Sequence, residues 1–222
     1  FITPGKLDGK IYVNSEDVTD VRVSERARLI GTVLQNADEQ IVYDTVRDEI
    51  AFGCENLDIP VETIDRRIEA STNMMKISPD AKTRTMSGGQ KQRIAIAGVL
   101  ALRPEVLVLD ESTAMLDPRG KKEVLDVVER VRAESGMTVV MITHFPDEAA
   151  RADRVIALDG GKVVIDAPAR KALSDVETLR AYGLDAPLPA RIAYEMRKRG
   201  ALLPDGIVTA EDLAEALCGK KI

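Results

Sequence analysis

Met86-Ser87-Gly88-Gly89-Gln90-Lys91-Gln92-Arg93-Ile94-Ala95-Ile96-Ala97 decides how this chain is read, together with Val106-Leu107-Val108-Leu109-Asp110-Glu111 a short way on. Consecutive glycines let the backbone approach a ligand closely. The helical pattern that follows them offers free N–H groups and a positive dipole end, which suits a phosphate. A serine that simply N-caps a helix would explain Ser87 as well, so the string needs its context. In the second stretch an apolar run without alternation marks a strand buried on both faces in the centre of a parallel sheet. That strand ends in two carboxylates, which places Asp110 and Glu111 at the carboxyl edge, where open α/β sheets bind ligands. An Asp there can hold Mg²⁺, and a following Glu can orient or deprotonate an attacking water. An acidic loop capping the next helix is the plainer reading of an isolated Asp-Glu pair.

Outward from that centre, short β-branched runs alternate with stretches of helical period, the pattern of a mostly parallel sheet covered by helices. Strands are expected over residues 10–13, 27–35, 106–110 and 138–143. Val139-Val140-Met141-Ile142 has the same non-alternating pattern, so this strand too is expected to be buried on both faces. A helix over 121–135 lies between these strands, with Val124, Leu125, Val127, Val128 and Val131 on one face and Gly136 placed to end it. Residues 155–158 and 162–165, joined by Asp159-Gly160-Gly161, read as an antiparallel hairpin at the sheet edge. The stretch 46–69, broken near Pro60, carries more charge than a core element and reads as part of an inserted helical subdomain over about 45–100. After Pro168 the sheet ends. Helices separated by Pro187, Pro189 and Pro204 follow, the last of them amphipathic over 211–217. The expected organisation is one domain over 1–168 and a small C-terminal helical domain over 169–222.

Composition narrows the function classes. The chain has 222 residues, 45% of them apolar, enough for an ample core. Two cysteines, Cys54 and Cys218, cannot make a disulfide framework, and with the single histidine, His144, they are too poor a set for a structural zinc site. A reducing compartment follows. A net charge of −6 argues against sequence-independent binding to a phosphate backbone, so no nucleic-acid partner is expected. The longest apolar run, Ile94 to Leu102, falls short of the roughly 20 residues that span a bilayer.

Two further polar residues fall at the sheet's carboxyl edge. His144 follows the strand over 138–143, where a γ-phosphate sensor would be needed, and Gln35 ends the run Ile30-Gly31-Thr32-Val33-Leu34, positioned to reach a metal or a water. Taken alone, each would read as an ordinary surface residue. Their order does not: Gln35, then Ser87-Gly88-Gly89-Gln90, then Asp110-Glu111, then Ala114-Met115-Leu116-Asp117, then His144. This order resembles the ATP-binding cassette ATPases, as Q-loop, signature motif, Walker B with its catalytic glutamate, D-loop and switch histidine. The resemblance implies an α/β, P-loop NTPase-like fold with a mostly parallel sheet and a helical subdomain, and it implies ATP and Mg²⁺ as ligands. Glu111 and His144 would be catalytic, Asp110 and Gln35 would serve Mg²⁺, and Gln35, Ser87, Gly88, Gly89, Gln90 and Asp117 would contact nucleotide. Cassettes of this family meet head to tail, so Ser87 and Gly89 would serve the nucleotide of a second subunit, while Asp110, Glu111 and His144 act on the chain's own.

Within that family the chain is most similar to the energy-coupling factor importers. Val33 to Gln40 resembles their extended Q-loop, Ile50 to Leu57 their helical-subdomain segment, and Gly183-Leu184-Asp185-Ala186-Pro187-Leu188-Pro189 with Leu203-Pro204 and Glu211-Asp212-Leu213 their C-terminal domain. Ala37 and Glu39 in the Q-loop, Met86 before the signature and Ser112 after Glu111 depart from the usual pattern. The resemblance implies a peripheral subunit on the cytoplasmic face of a prokaryotic membrane that drives uptake of a vitamin or metal ion. Its partners would be a second ATPase, identical or not, a transmembrane coupling subunit and a substrate-binding membrane protein. A string of the form Gly-x-x-x-x-Gly-Lys-Ser/Thr, which cradles phosphates, is absent from the sequence. Gly5-Lys6-Leu7-Asp8-Gly9-Lys10 is one residue short of it and lacks the hydroxyl. The family places its Walker A just upstream of the segment that Phe1 to Val13 resembles, so an N-terminal truncation is expected, with no independent ATPase activity in the chain as it stands. The other reading is a naturally degenerate subunit that lends its signature motif to a partner. Cassettes of DNA repair or translation carry long coiled coils or basic linkers, and this chain has neither.

Overall fold

The run Val106-Leu107-Val108-Leu109-Asp110 forms the middle strand of a three-stranded parallel sheet. The computed structural model describes residues 8–219, and the chain divides into two compact units, one ending at Ile142 and the other beginning at Thr143. The first unit contains β1 (Tyr12–Val13), β2 (Glu16–Asp17), α1 (Val23–Arg26), β3 (Ile30–Val33), α2 (Val46–Glu55), α3 (Val61–Met75), α4 (Gly88–Leu102), β4 (Val106–Asp110), α5 (Pro118–Ser135) and β5 (Thr138–Ile142). The second contains α6 (Pro146–Ala149), β6 (Arg154–Asp159), β7 (Lys162–Pro168), α7 (Ala169–Ser174), α8 (Val176–Ala181), α9 (Leu188–Lys198) and α10 (Ala210–Cys218).

The sheet order is β3-β4-β5, with Val33 opposite Leu109 and Asp110 opposite Ile142. Helix α4 is the central element of the first unit. Gln92, Ile94, Ala95, Ile96, Ala97, Val99, Leu100 and Ala101 are all buried along it, which accounts for the long apolar run in the sequence. Ile94 and Ile96, both fully buried, each contribute roughly 1.5–3 kcal/mol relative to exposure. Helices α2 and α3 send Val46, Ile50, Cys54, Ile64, Ile68 and Met75 into the same core cluster as the sheet, and Arg67 of α3 turns inward to donate to Ala101 O at 2.9 Å and Leu102 O at 3.2 Å at the end of α4. Pro60 caps the start of α3.

Several bounds differ from the sequence reading. The strand expected over 10–13 is β1 alone, paired antiparallel with β2 through Asn14 and Ser15, which take positive φ values of 49° and 69°. The strand expected over 27–35 is confined to β3, because hydrogen bonds from Arg28 to Glu25 and from Leu29 to Arg26 carry the turn of α1 forward. The helix expected over 121–135 begins at Pro118, where Asp117 caps it and proline fits the first turn. Strand β5 is not buried on both faces. It lies at the end of the sheet order, and Val140 and Ile142 are 45% and 49% exposed. The hairpin expected at the sheet edge is a separate two-stranded sheet, β6 with β7, whose strands satisfy each other across a turn with Gly160 at φ 53° and Gly161 at φ 75°.

In the second unit Ala169, Leu173, Val176, Leu179, Ala186, Ala190 and Val208 form a core of their own. Pro187 and Pro204 fall between helices as expected, whereas Pro189 lies inside one. Pro187 is the N-cap of α9 and Pro189 sits in its first turn. Thr209 and Asp212 form a capping box on α10, and Arg170 Nη1 reaches Asp212 at 2.8 Å, tying α7 to α10. Among the described residues no helix is long and apolar enough to cross a membrane.

Candidate nucleotide site

Parallel pairing makes the chain leave β3 and β4 at the same edge, two residues before Gln35 and directly before Glu111. Gln35 Nε2 donates to Glu111 Oε2 at 2.9 Å. Glu111 has φ 44°, a conformation that costs an L-residue roughly 1–2 kcal/mol. Its N–H donates to Ile142 O at 2.9 Å, and its carbonyl accepts from Ala114 N at 3.0 Å. A strained glutamate pinned on both sides of its backbone, with its carboxylate held by an amide, is the kind of outlier that marks a functional position. Asp110, half-buried, is the last residue of β4, and the buried Ser112 follows Glu111 with its Oγ lacking a hydrogen-bond partner among the described residues.

The glycine string heads α4. Ser87 N–H donates to Gln90 Oε1 at 2.9 Å and Gln90 N–H donates to Ser87 Oγ at 3.3 Å, a complete capping box. The plain N-cap role is therefore real. Gly88 and Gly89 N–H groups lie in the first turn, where a helix supplies no acceptors of its own. A Cβ on Gly88 would meet Met115 Cε at 3.3 Å, and one on Gly89 would meet Leu116 Cδ2 and Met115 O at 3.3 Å, so the glycines let residues 115–116 lie against the helix start. Asp117 then caps α5, accepting from Gly120 N–H at 3.0 Å. Arg93 of α4 reaches Glu123 of α5 at 3.2 Å, and the neighbouring Arg119 and Arg93 guanidinium groups hold the Glu123 carboxyl below its usual range.

Gln35, Asp110 and Glu111 are thus gathered at one edge, and Ser87 to Gln90 pack with residues 115–116. His144 belongs to the second unit, where its ring lies 4.2 Å from that of Phe145 in a tilted contact. Thr143 Oγ1 donates to Glu148 Oε2 at 2.7 Å and accepts from Phe145 N–H at 3.0 Å, which fixes the turn around the histidine. The near-match to a phosphate loop at 5–10 lies partly outside the described residues.

The donor set suits a hard cation. Asp110, Glu111 and Gln35 offer oxygen atoms, as Mg²⁺ prefers. No group of three or more His, Cys, Asp or Glu converges among the described residues, so Mg²⁺ here would draw its other ligands from phosphate and water.

A family model described as ABC transporter matches residues 3–114. The chain belongs to the ABC transporter family. An energy-coupling factor transporter ATP-binding protein EcfA1 of Caldanaerobacter subterraneus subsp. tengcongensis is 43% identical over 213 residues, covering 95% of this chain and 77% of that protein. Its counterpart in Clostridium perfringens is 42% identical over 216 residues, covering 96% and 77%. Among solved structures, cbiO1 of Clostridium perfringens, described as part of the ABC transporter complex cbiONQ, matches with a TM-score of 0.70 and 31% identity over 86% of this chain and 76% of that one. A dimeric ATP-binding cassette in a post-hydrolysis state, bound to ADP and Pi, matches with a TM-score of 0.65 and 25% identity over 73% and 74%. The P-loop NTPase-like α/β fold implied by the motif order is the fold of these cassettes.

Two residues of this ABC cassette were not singled out by the sequence reading. Gln40 and Gln92 hold the backbone just before Gln35: Leu34 N–H donates to Gln40 Oε1 at 3.1 Å, and Gln92 Nε2 donates to Leu34 O at 2.9 Å. A signal existed for Gln92, which shares a helical face with Ile96 and Val99 and so puts an amide on a buried stripe.

Proposed function

We propose that this protein is an ATP-hydrolysing subunit of an energy-coupling-factor-type importer and couples hydrolysis to uptake of a vitamin or metal ion. The contact between Gln35 and Glu111 carries this reading, because it assembles groups that serve the chain's own nucleotide rather than a partner's. Glu111 receives a proton from the attacking water and orients it. The Gln35 amide holds the Glu111 carboxylate in place, and Asp110 beside it, with the Gln35 carbonyl oxygen, would hold Mg²⁺. Mg²⁺, when bound there, would supply positive charge against the charge that develops on the phosphates. His144 would contact the γ-phosphate, and Asp117 would meet the facing subunit.

Ser87, Gly88, Gly89 and Gln90 serve the nucleotide held by a second cassette, so the working unit is a homo- or heterodimer. The similarity to EcfA1 proteins and to a part of the cbiONQ complex supports a transmembrane coupling subunit and a substrate-binding membrane protein as further partners, with this chain peripheral on the cytoplasmic face. The polypeptide of residues 1–222 contains no phosphate-cradling Gly-x-x-x-x-Gly-Lys-Ser/Thr string and, by itself, does not turn over ATP. In the test, the gene product is purified as its own locus expresses it, and its MgATP turnover is compared with that of Glu111→Gln. Loss of turnover in the variant supports the reading. Equal turnover in both would overturn it, and absence of turnover in both, with ATP bound only alongside another cassette, would favour a non-catalytic subunit that lends its signature motif.

A further inference from the structure

Leu34 is the residue through which β3 hands over to Gln35. It lies one position past the last paired residue of the strand, so neither of its backbone groups has a place in the sheet ladder. Two side chains take over. Gln40 reaches back across six residues, accepting from Leu34 N–H at 3.1 Å and donating to Thr32 O at 3.3 Å. Gln92 comes from α4 and donates to Leu34 O at 2.9 Å. Gln92 is 0% exposed, and its Oε1 is buried with no hydrogen-bond partner among the described residues. A half-satisfied buried amide on the core-facing side of a helix is a poor choice for stability alone, and it asks for another explanation.

A second tie runs in parallel. Lys91, next to Gln92, pairs with Asp38 in the short 3-10 turn Ala37–Glu39 that follows Gln35. The segment from Leu34 to Gln40 is therefore held on both sides of Gln35 by consecutive residues of α4. These residues come directly after the capping box at Ser87 and Gln90.

We propose that Gln92 is a positioning residue for Gln35. By holding the Leu34 carbonyl, its amide aims Gln35 at Glu111 and ties that aim to the start of α4, which carries Ser87, Gly88 and Gly89. The inference rests on the proposed function for its catalytic consequence, but not for its structural one. When the start of α4 shifts against a ligand, Leu34 is drawn with it, and the distance from Gln35 to Glu111 follows.

The test uses Gln92→Met, which keeps the volume and removes the donor. Gln40→Ala provides a second route through an outer side chain, and Thr72→Val is the control. Thr72 is buried and donates to Ile68 O at 2.7 Å within α3, so its loss weakens the fold without touching the loop. Hydrogen exchange on the 222-residue chain is expected to run about tenfold faster over residues 34–40 in Gln92→Met and Gln40→Ala, and to be unchanged there in Thr72→Val. In the hydrolysing complex, Gln92→Met is expected to lower kcat about tenfold with KM for ATP within twofold of the parent. Exchange over 34–40 in Gln92→Met that matches the parent would overturn the proposal, whatever Gln40→Ala shows. So would a kcat that falls equally in Thr72→Val at matched loss of thermal stability. If the parent complex hydrolyses no ATP, it is the functional reading that fails, and the exchange data alone decide the role of Gln92.

Discussion

Gly31 offers a sharp test of how β3 is seated on α4. A Cβ built at this position in β3 would sit inside van der Waals contact with Val99 Cγ1 of α4 and only 3.0 Å from Pro104 Cγ. Val99 is buried and β-branched, so it has one favourable rotamer in a helix, and the Pro104 ring cannot swing aside. Overpacking of this kind costs about 1–3 kcal/mol, and two stiff neighbours put Gly31→Ala near the upper end, about 3 kcal/mol. At about 2–4 °C per kcal/mol for a chain of this size, the melting temperature falls by roughly 6–12 °C. Val99→Ala alone removes two methyl groups and costs about 2 kcal/mol. Combining the two changes relieves the main clash, so the double variant loses about 3 kcal/mol rather than the additive total of about 5 kcal/mol. Urea unfolding of the parent, both single variants and the double variant measures this coupling directly. Additivity to within about 0.5 kcal/mol would refute the claim that β3 rests its backbone on Val99.

Other outcomes follow from single contacts. Ser87→Ala removes the capping box of α4 and is expected to cost about 1 kcal/mol, read as a drop in melting temperature; an unchanged melting point would show that the box contributes nothing. Glu123 titrates below the usual carboxylate range because Arg119 and then Arg93 stabilise its charged form. Its contribution is thus present above the unfolded value of about pH 4.3 and is lost as the pH falls through its lower folded value. Urea midpoints between pH 6 and pH 3 are expected to fall less steeply in Glu123→Gln, and parallel curves would count against the pair. Burial pushes the Cys54 thiol up, whereas Cys218 is exposed. A thiol reagent is expected to modify Cys218 rapidly and Cys54 only on unfolding, and fast reaction at both would contradict the packing of α2.

The middle of the fold was legible because its signals are local. Val106 to Asp110 is a strand as read, Gly136 ends α5 in the left-handed conformation, and Ser87 begins α4 where the glycines suggested. The burial of β5 was misjudged because an apolar run reports how much side chain seeks cover, not which neighbours the sheet order provides. The β1–β2 turn was missed because Asn14 and Ser15 occupy positive φ without a glycine to announce it. At the candidate site, the residues at the carboxyl edge could be named from motif order, and the pairing of Gln35 with Glu111 joins residues 76 positions apart. The role of Gln40 was hidden for a related reason, since a loop glutamine that satisfies another residue's backbone leaves no periodic trace, and for Gln92 the helical period shows that it is buried but not that its partner is Leu34.

In the proposed function Gln35, Asp110 and Glu111 act on this chain's own nucleotide while Ser87 to Gln90 act on a second subunit's. Sedimentation of the Glu111→Gln gene product, as its own locus expresses it, tests both halves together. The variant is expected to sediment in MgATP as a dimer that falls apart when the nucleotide is removed and that does not persist in the parent once ATP is consumed. A variant that sediments as the parent does at every nucleotide concentration would contradict it.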